Sequence, residues 1–423
     1  MYQKTVLDNG IRIVTEQMPG VRSISIGLVL EVGSRDEAAE VSGVAHCIEH
    51  MLFKGTSSRD AASLARMMDT AGGQMGAFTA RDYTCLYAAV LDDYRTFALD
   101  IFGDILLHSL FEAESLRREQ AVIFQELESG EEQPGKLVQE LLKQQAWRGY
   151  SLGQNIYGNR DSVAALTTMK VVDFFKDHYG ADRLIISAAG NLDHDDFVSQ
   201  VNDVFWSLPK ARLKATASVE PEFQGRITLR QRDSAHVYFA LGAPAPAYTA
   251  EERYATFVLN TILGASISSR LFRRMRDEQG WVYEIGSNYH PYRDAGMFIV
   301  EGFTTPQNLL PVMESVLSEL IGLIAEPVDQ EELWRAKEYM RGEILISAEA
   351  SNTRMSQLAT QELYFGRFLS LDELVEGIRS VDAAQVQALA SSLFQPGGLA
   401  LAAVGAFQDS SLLEKQLADL IGL

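Results

Sequence analysis

The chain has only two cysteines, Cys47 and Cys85, among 423 residues. That leaves no disulfide framework and points to a reducing compartment. Positive charge is scarce: 37 Lys and Arg stand against 57 Asp and Glu, a formal net charge of -20. Binding a phosphate backbone rests on clustered cations, so nucleic acid is not expected as a partner. An acidic surface suits basic peptides, or simply solubility. The opening MYQKTVLDNGIRIVTEQMPG lacks the apolar centre of a signal peptide, and no apolar run is expected to span a bilayer. No membrane association and a cytoplasmic location are the expectations.

Apolar residues make up 47% of the chain, and its length suggests two or more cores. The start reads as a hairpin around Asp8-Asn9-Gly10, followed by the strand SISIGLVLEV. A helix is expected from Gly43 to about Phe53, another in AASLARMMDTAGG, then strands GQMGAFTA and YTCLYAAVL and long helices over 94–107 and 113–129. The same order returns later. RLIISAAGNLDHDDFVSQVNDVF matches GLALAAVGAFQDSSLLEKQLADL as strand, turn and helix, and AHVYFALGAPAPAYTAEERYATFVLNTILG matches the strand and helix leading to His50. The pattern implies an α+β protein of two tandem homologous domains. The expected division is 1–208, a polar linker over 209–225, and 226–423.

Histidine is sparse too, with seven in the chain, yet two stand four apart in GVAHCIEHML. On a helix His46 and His50 share one face, with Glu49 beside them. Two imidazoles and an adjacent carboxylate in the order H-x-x-E-H form the inverted zinc peptidase signature. The matching helix of the second copy, TFVLNTILGAS, carries no His or Glu, so packing does not require the triplet. A third ligand is sought in ESLRREQAVIFQELESGEE. There Glu119, Val122, Ile123 and Glu126 fall on one stripe, whereas Glu128 points away into solvent. A carboxylate on a buried stripe needs a partner or a metal, and helical geometry leaves Glu119 and Glu126 as alternatives. Cys47 lies off the ligand face and reads as a small apolar filler. His108, His178, His194, His236 and His290 lack partners at ligand spacing and are expected on the surface or in turns.

The motifs LDNGIRIVTEQMPGVRSISIGLVLEVGSRDE, GVAHCIEHMLFKGT, GGQMGAFTARDYTCLYAAVLDD, RREQAVIFQEL and SSRLFRRMRDEQGWVYEIG resemble the pitrilysin-type zinc metallopeptidases. These inverzincins include the mitochondrial processing peptidases. The resemblance implies that each tandem domain is a mainly antiparallel sheet packed with helices, and that the two form half of a clamshell that closes around substrate in a dimer. It places the third ligand 76 positions after His50, at Glu126, and gives Glu119 a supporting role. Arg276 and Tyr283 match an Arg and a Tyr that reach the site from the far half, which a chain of this length would take from a partner subunit. Like chains are favoured over a heterodimer, because this chain carries both sets. The edge strand Gly76, Ala77, Phe78 and Thr79 is expected to bind the substrate backbone, although Gly76 stands where Asn is common in the family. Strand packing is the plainer alternative for Phe78 and Tyr283.

The function implied is that of a zinc endopeptidase, with one Zn2+ per chain, acting on short or unfolded peptides. Glu49 would be the general base, and Tyr283 and Arg276 would stabilise the oxyanion. The alternative is a noncatalytic peptide-binding or scaffold subunit of a heteromeric processing peptidase. The intact set His46, Glu49, His50 and Glu126, and the absence of that subunit's glycine-rich loop, weigh against it. A structural zinc protein would need a fourth protein ligand.

Overall fold

Asp8 and Asn9 carry the chain into Gly10, whose φ of +103° suits a residue without a Cβ. The side chain of Asn9 closes the turn by accepting from the Ile11 N–H at 3.3 Å. The hairpin joins β1 (Tyr2–Val6) to β2 (Arg12–Gln17). The remaining strands of the first sheet are β3 (Ser23–Leu30), β4 (Gln74–Thr79), β5 (Thr84–Leu91) and β6 (Leu184–Gly190). Their order is β1-β2-β6-β3-β5-β4, with only β2 and β6 parallel. The computed structural model describes residues 1–213 and 221–422, so 214–220 of the expected linker lie outside the described residues.

Alternate residues of β3 face opposite sides of this sheet. Ile24, Ile26, Leu28 and Leu30 enter the main core with α1 (Val44–Leu52), α2 (Ala61–Thr70), α3 (Arg95–His108) and the first turns of α4 (Ala113–Glu132). Val29, Cys85 and Ile185 face the other way and are covered by Leu358 and Ala359 of the helix Ser351–Phe365. That helix lies close to the sheet because Gly27 has no side chain; a Cβ there would come within 2.3 Å of Met355 Sδ.

The second sheet is built from β7 (Ile227–Gln231), β8 (Val237–Ala245), β9 (Val282–Pro291), β10 (Gly296–Thr304) and β11 (Ala400–Gly405). Its order β7-β11-β8-β10-β9 repeats β2-β6-β3-β5-β4 strand for strand, including one parallel pair. The α+β class and the duplication are thus both present.

The compact units are not continuous in sequence. One comprises Met1–Leu127, Gln154–Ala217 and Leu345–Leu369; the other comprises Glu128–Gly153, Ser218–Ile344 and Ser370–Leu423. The departure from a division into 1–208 and 226–423 comes from two helices. Ser351–Phe365 completes the first unit, and α5 (Pro134–Ala146) completes the second, where Val138, Leu142 and Ala146 pack on Ala240, Met297, Ile299 and Ala402. Each sheet has two apolar faces, and the second face is covered by the helix that the other half of the chain supplies. Contrary to the sequence expectation, Pro306–Ala325 is long and apolar enough to cross a membrane by length and composition. In the second unit its buried residues, among them Val312, Met313, Val316, Leu320 and Leu323, join the core.

Arg354 ties the covering helix to the first sheet. It is 2% exposed, donates through Nε to Glu16 Oε2 at 2.8 Å, and reaches Gln357 Oε1 through Nη1 at 2.6 Å. Arg354→Met should cost about 3 kcal/mol, because Glu16 loses its cation in a partly dry site. Urea denaturation followed by circular dichroism would show a lower midpoint than wild type.

Candidate metal centre

The helix that carries the H-x-x-E-H sequence begins abruptly at Gly43, whose φ is +91°. Its free donors are met from outside the helix: Glu37, 3% exposed, accepts from the Gly43 N–H at 2.7 Å and the Ala45 N–H at 2.8 Å. Burial pushes the Glu37 carboxyl up to about 8, against the pull of those two N–H groups. Sequence reasoning did not find Glu37, since an ordinary cap lies next to the first helical residue and this one is six positions before Gly43.

Side chains of α1 and α4 then face each other. Glu119 of α4, itself buried, accepts from His50 Nδ1 at 3.0 Å and from Lys54 Nζ at 2.9 Å. A carboxylate only accepts, so the proton of His50 sits on Nδ1 and its lone pair on Nε2. Glu126, two helical turns on, lies on that other side. Its Oε2 is 3.6 Å from His50 Nε2 and 3.5 Å from His46 Nε2. Burial first, and the neighbouring His50 second, hold the His46 imidazole down at about 3, so it is neutral near pH 7. Glu126 Oε2 is sealed from solvent and has no hydrogen-bond partner among the described residues. A buried carboxylate oxygen aimed at two imidazole nitrogens is costly alone and suited to a divalent cation. Ligand atoms of His46, His50 and Glu126 lie within 4.8 Å of one another, so this set could hold a metal ion. Two nitrogens and one oxygen are a donor set that zinc accepts.

Glu49 lies beside this group. Its Oε2 accepts from Thr79 Oγ1 at 2.7 Å. Burial is the main influence raising its carboxyl above the ordinary range, with the Thr79 hydrogen bond and His50 acting against it. Thr79, expected from the sequence to bind the substrate backbone, uses its side chain to hold Glu49. It ends β4, which pairs only with β5 among the described residues and leaves one main-chain edge open. Along that strand Ala77 packs against the main core, and Phe78 is 42% exposed beside Tyr83 and Tyr87. A Cβ at Gly76 would stand 3.0 Å from Tyr87 Oη, a tight contact with the end of that side chain.

Arg276 and Tyr283 belong to the second unit. Arg276 lies in the π-helical segment Phe272–Glu278, its guanidinium 4.6 Å from the Phe272 ring and 5.3 Å from the Tyr283 ring. Tyr283 is 71% exposed on β9, so it does not pack as a core strand residue. Cys47 is fully buried, as a filler would be, but two expectations need correction. Val122 is exposed rather than on the buried stripe, because the helix face turns outward there. His194 is buried rather than on the surface, held between Thr5 Oγ1 and Thr15 Oγ1 at 2.8 Å each.

Comparison with known proteins bears on the family and the fold. The insulinase family (peptidase family M16) matches residues 12–160, and the peptidase M16 inactive domain matches residues 165–340. The chain is 36% identical over 394 residues to an uncharacterized zinc protease of Bacillus subtilis, covering 93% of this chain and 96% of that one. It is 35% identical over 395 residues to an uncharacterized zinc protease of Streptomyces coelicolor, covering 92% and 86%. Among solved structures, a protease from Helicobacter pylori superposes with a TM-score of 0.89 at 19% identity, covering 96% of this chain and 99% of that one. A peptidase M16 inactive domain from Pseudomonas fluorescens gives 0.86 at 22% identity, covering 96% and 98%; both likenesses concern the fold. Sequence identity over nearly the whole length, joined to the two matching family patterns, makes this chain a member of the pitrilysin-type peptidase family M16.

Proposed function

We propose that the chain is a zinc-dependent endopeptidase for short or unfolded peptides, with His46, His50 and Glu126 as the ligands of one zinc ion per chain. The observation that carries this reading is the buried, unpartnered Glu126 Oε2 opposite the two imidazole nitrogens. The M16 inactive-domain likeness extends over residues 165–340, beyond the stretch holding these residues, and so favours no loss of the site itself. Bound there, zinc supplies a Lewis acid that polarises the peptide carbonyl and makes water nucleophilic near neutral pH.

The chain's own residues do the rest. Thr79 holds the Glu49 carboxylate, which takes a proton from the attacking water and returns it to the leaving amine. Glu119 and Lys54 hold His50 in the tautomer that presents Nε2. A peptide strand adding to the open edge of β4 would bind through main-chain hydrogen bonds, so extended shape counts for more than sequence. Tyr283, with Arg276, is assigned to the oxyanion. Their contribution from a second copy of the chain in a dimer, and a cytoplasmic location, complete the proposal.

Glu49→Gln should lower kcat on a library of unstructured peptides by about 10²–10⁴-fold while zinc content stays at the wild-type level. Unchanged turnover, read by mass spectrometry of the fragments, would remove Glu49 from the mechanism. Thr79→Val should lower kcat about tenfold with little change in KM or zinc content, since it frees Glu49 rather than the metal. Glu119→Gln should weaken zinc binding by about 10–100-fold, measured by chelator competition, whereas Glu126→Ala should abolish stable binding.

A further inference from the structure

The two imidazoles of the site are supported unequally. His50 has its Nδ1 hydrogen-bonded to Glu119. His46 Nδ1 is buried and has no hydrogen-bond partner among the described residues. A ligand imidazole ordinarily donates its second nitrogen to a carboxylate or carbonyl, and that bond sets the ring's orientation. Something else must orient His46. Its ring has two aromatic neighbours: His50 at 4.6 Å and 63°, and Tyr157 at 4.7 Å and 80°. The first is itself a ligand of the proposed site, which leaves Tyr157 as the outside aromatic support among the described residues.

Tyr157 sits in the loop before the short helix Arg160–Ala164, and that loop is fastened to the start of α1 by its backbone. Gly43 and Gly158, with φ of +91° and +71°, pack so closely that a Cβ on Gly43 would lie 2.7 Å from Tyr157 O, and one on Gly158 2.3 Å from Ser42 O. Ser162 Oγ donates to Ser42 O at 2.8 Å and closes the same junction. These main-chain contacts fix the backbone of Tyr157 beside the start of α1, from where its ring meets His46. An edge-to-face aromatic pair of this kind has a preferred geometry and restrains rotation about the imidazole axis.

We infer that Tyr157 is the positioning residue for His46, fixing by ring packing the ligand orientation that a hydrogen bond fixes for His50. This rests on the metal reading above. The test uses the purified full chain, stripped of metal, with Zn2+ affinity measured by competition with a chromophoric chelator and the melting temperature of the metal-free protein measured in parallel. Tyr157→Ala should bind zinc about tenfold more weakly with the metal-free melting temperature unchanged, and Tyr157→Phe should retain wild-type affinity because the ring is kept. Should Tyr157→Ala fail to fold, Tyr157→Leu, which refills volume without an aromatic edge, carries the same expectation. Wild-type affinity in Ala or Leu overturns the inference, as does a loss shared equally by Phe, which would assign the effect to the hydroxyl. Failure of the wild-type chain to take up zinc overturns the metal reading and this inference together, whereas wild-type uptake with an indifferent Tyr157 overturns the inference alone.

Discussion

Glu126 Oε2 is enclosed between two imidazole nitrogens and receives no hydrogen bond among the described residues. Water would solvate that oxygen if it could reach it, and a protonated imidazole would pair with it, but burial keeps His46 neutral. A cation shared with the imidazole lone pairs would satisfy it. Much of the surrounding construction serves to keep those three atoms facing one another. Glu37 starts the helix that spaces the histidines, Glu119 with Lys54 sets the tautomer of His50, and the Tyr157 loop is locked onto the same helix start.

The position of Glu49 shows how the fold connects metal and substrate. Its partner Thr79 is the last residue of β4, the strand whose outer edge is free to pair. One short strand therefore has an unpaired main-chain edge among the described residues and also holds the Glu49 side chain beside the candidate metal site. The helix cannot do this alone, because Glu49 is fixed only when α1 and β4 pack together. The second sheet repeats the strand order without an equivalent of the H-x-x-E-H helix: its counterpart Arg253–Asn260 runs into a π-helical stretch, Thr261–Ala265. Duplication supplied the architecture twice, and the candidate metal site uses residues of one copy.

Much of this was legible in the chain. The hairpin at Asn9-Gly10, the strand alternation of β3 and the recurrence of strand, turn and helix are local patterns, and the two sheet orders agree with the repeat they suggested. The candidate site was partly legible for the same reason, since His46, Glu49 and His50 share a helix and spacing alone puts them on one side. What stayed hidden depends on contacts between distant segments. Nothing near Glu37 marks it as the cap of a helix six residues later, nothing near Tyr157 marks it as a neighbour of His46, and His194 looked like a surface residue although two threonines from the opening hairpin enclose it.

Sequence by itself determined the duplicated α+β pattern, the two histidines at one helical turn, and a second helix with Glu119 and Glu126 on one stripe. Tertiary structure alone decided that Glu119 faces Nδ1 of His50 while Glu126 faces the Nε2 atoms, and that Thr79 holds Glu49. It also decided that the helices Pro134–Ala146 and Ser351–Phe365 each cover the sheet of the other half's unit. The physical reason is the same in each case. Periodicity reports which side of an element a residue occupies, but the atom it meets there is set by packing between segments far apart in the chain.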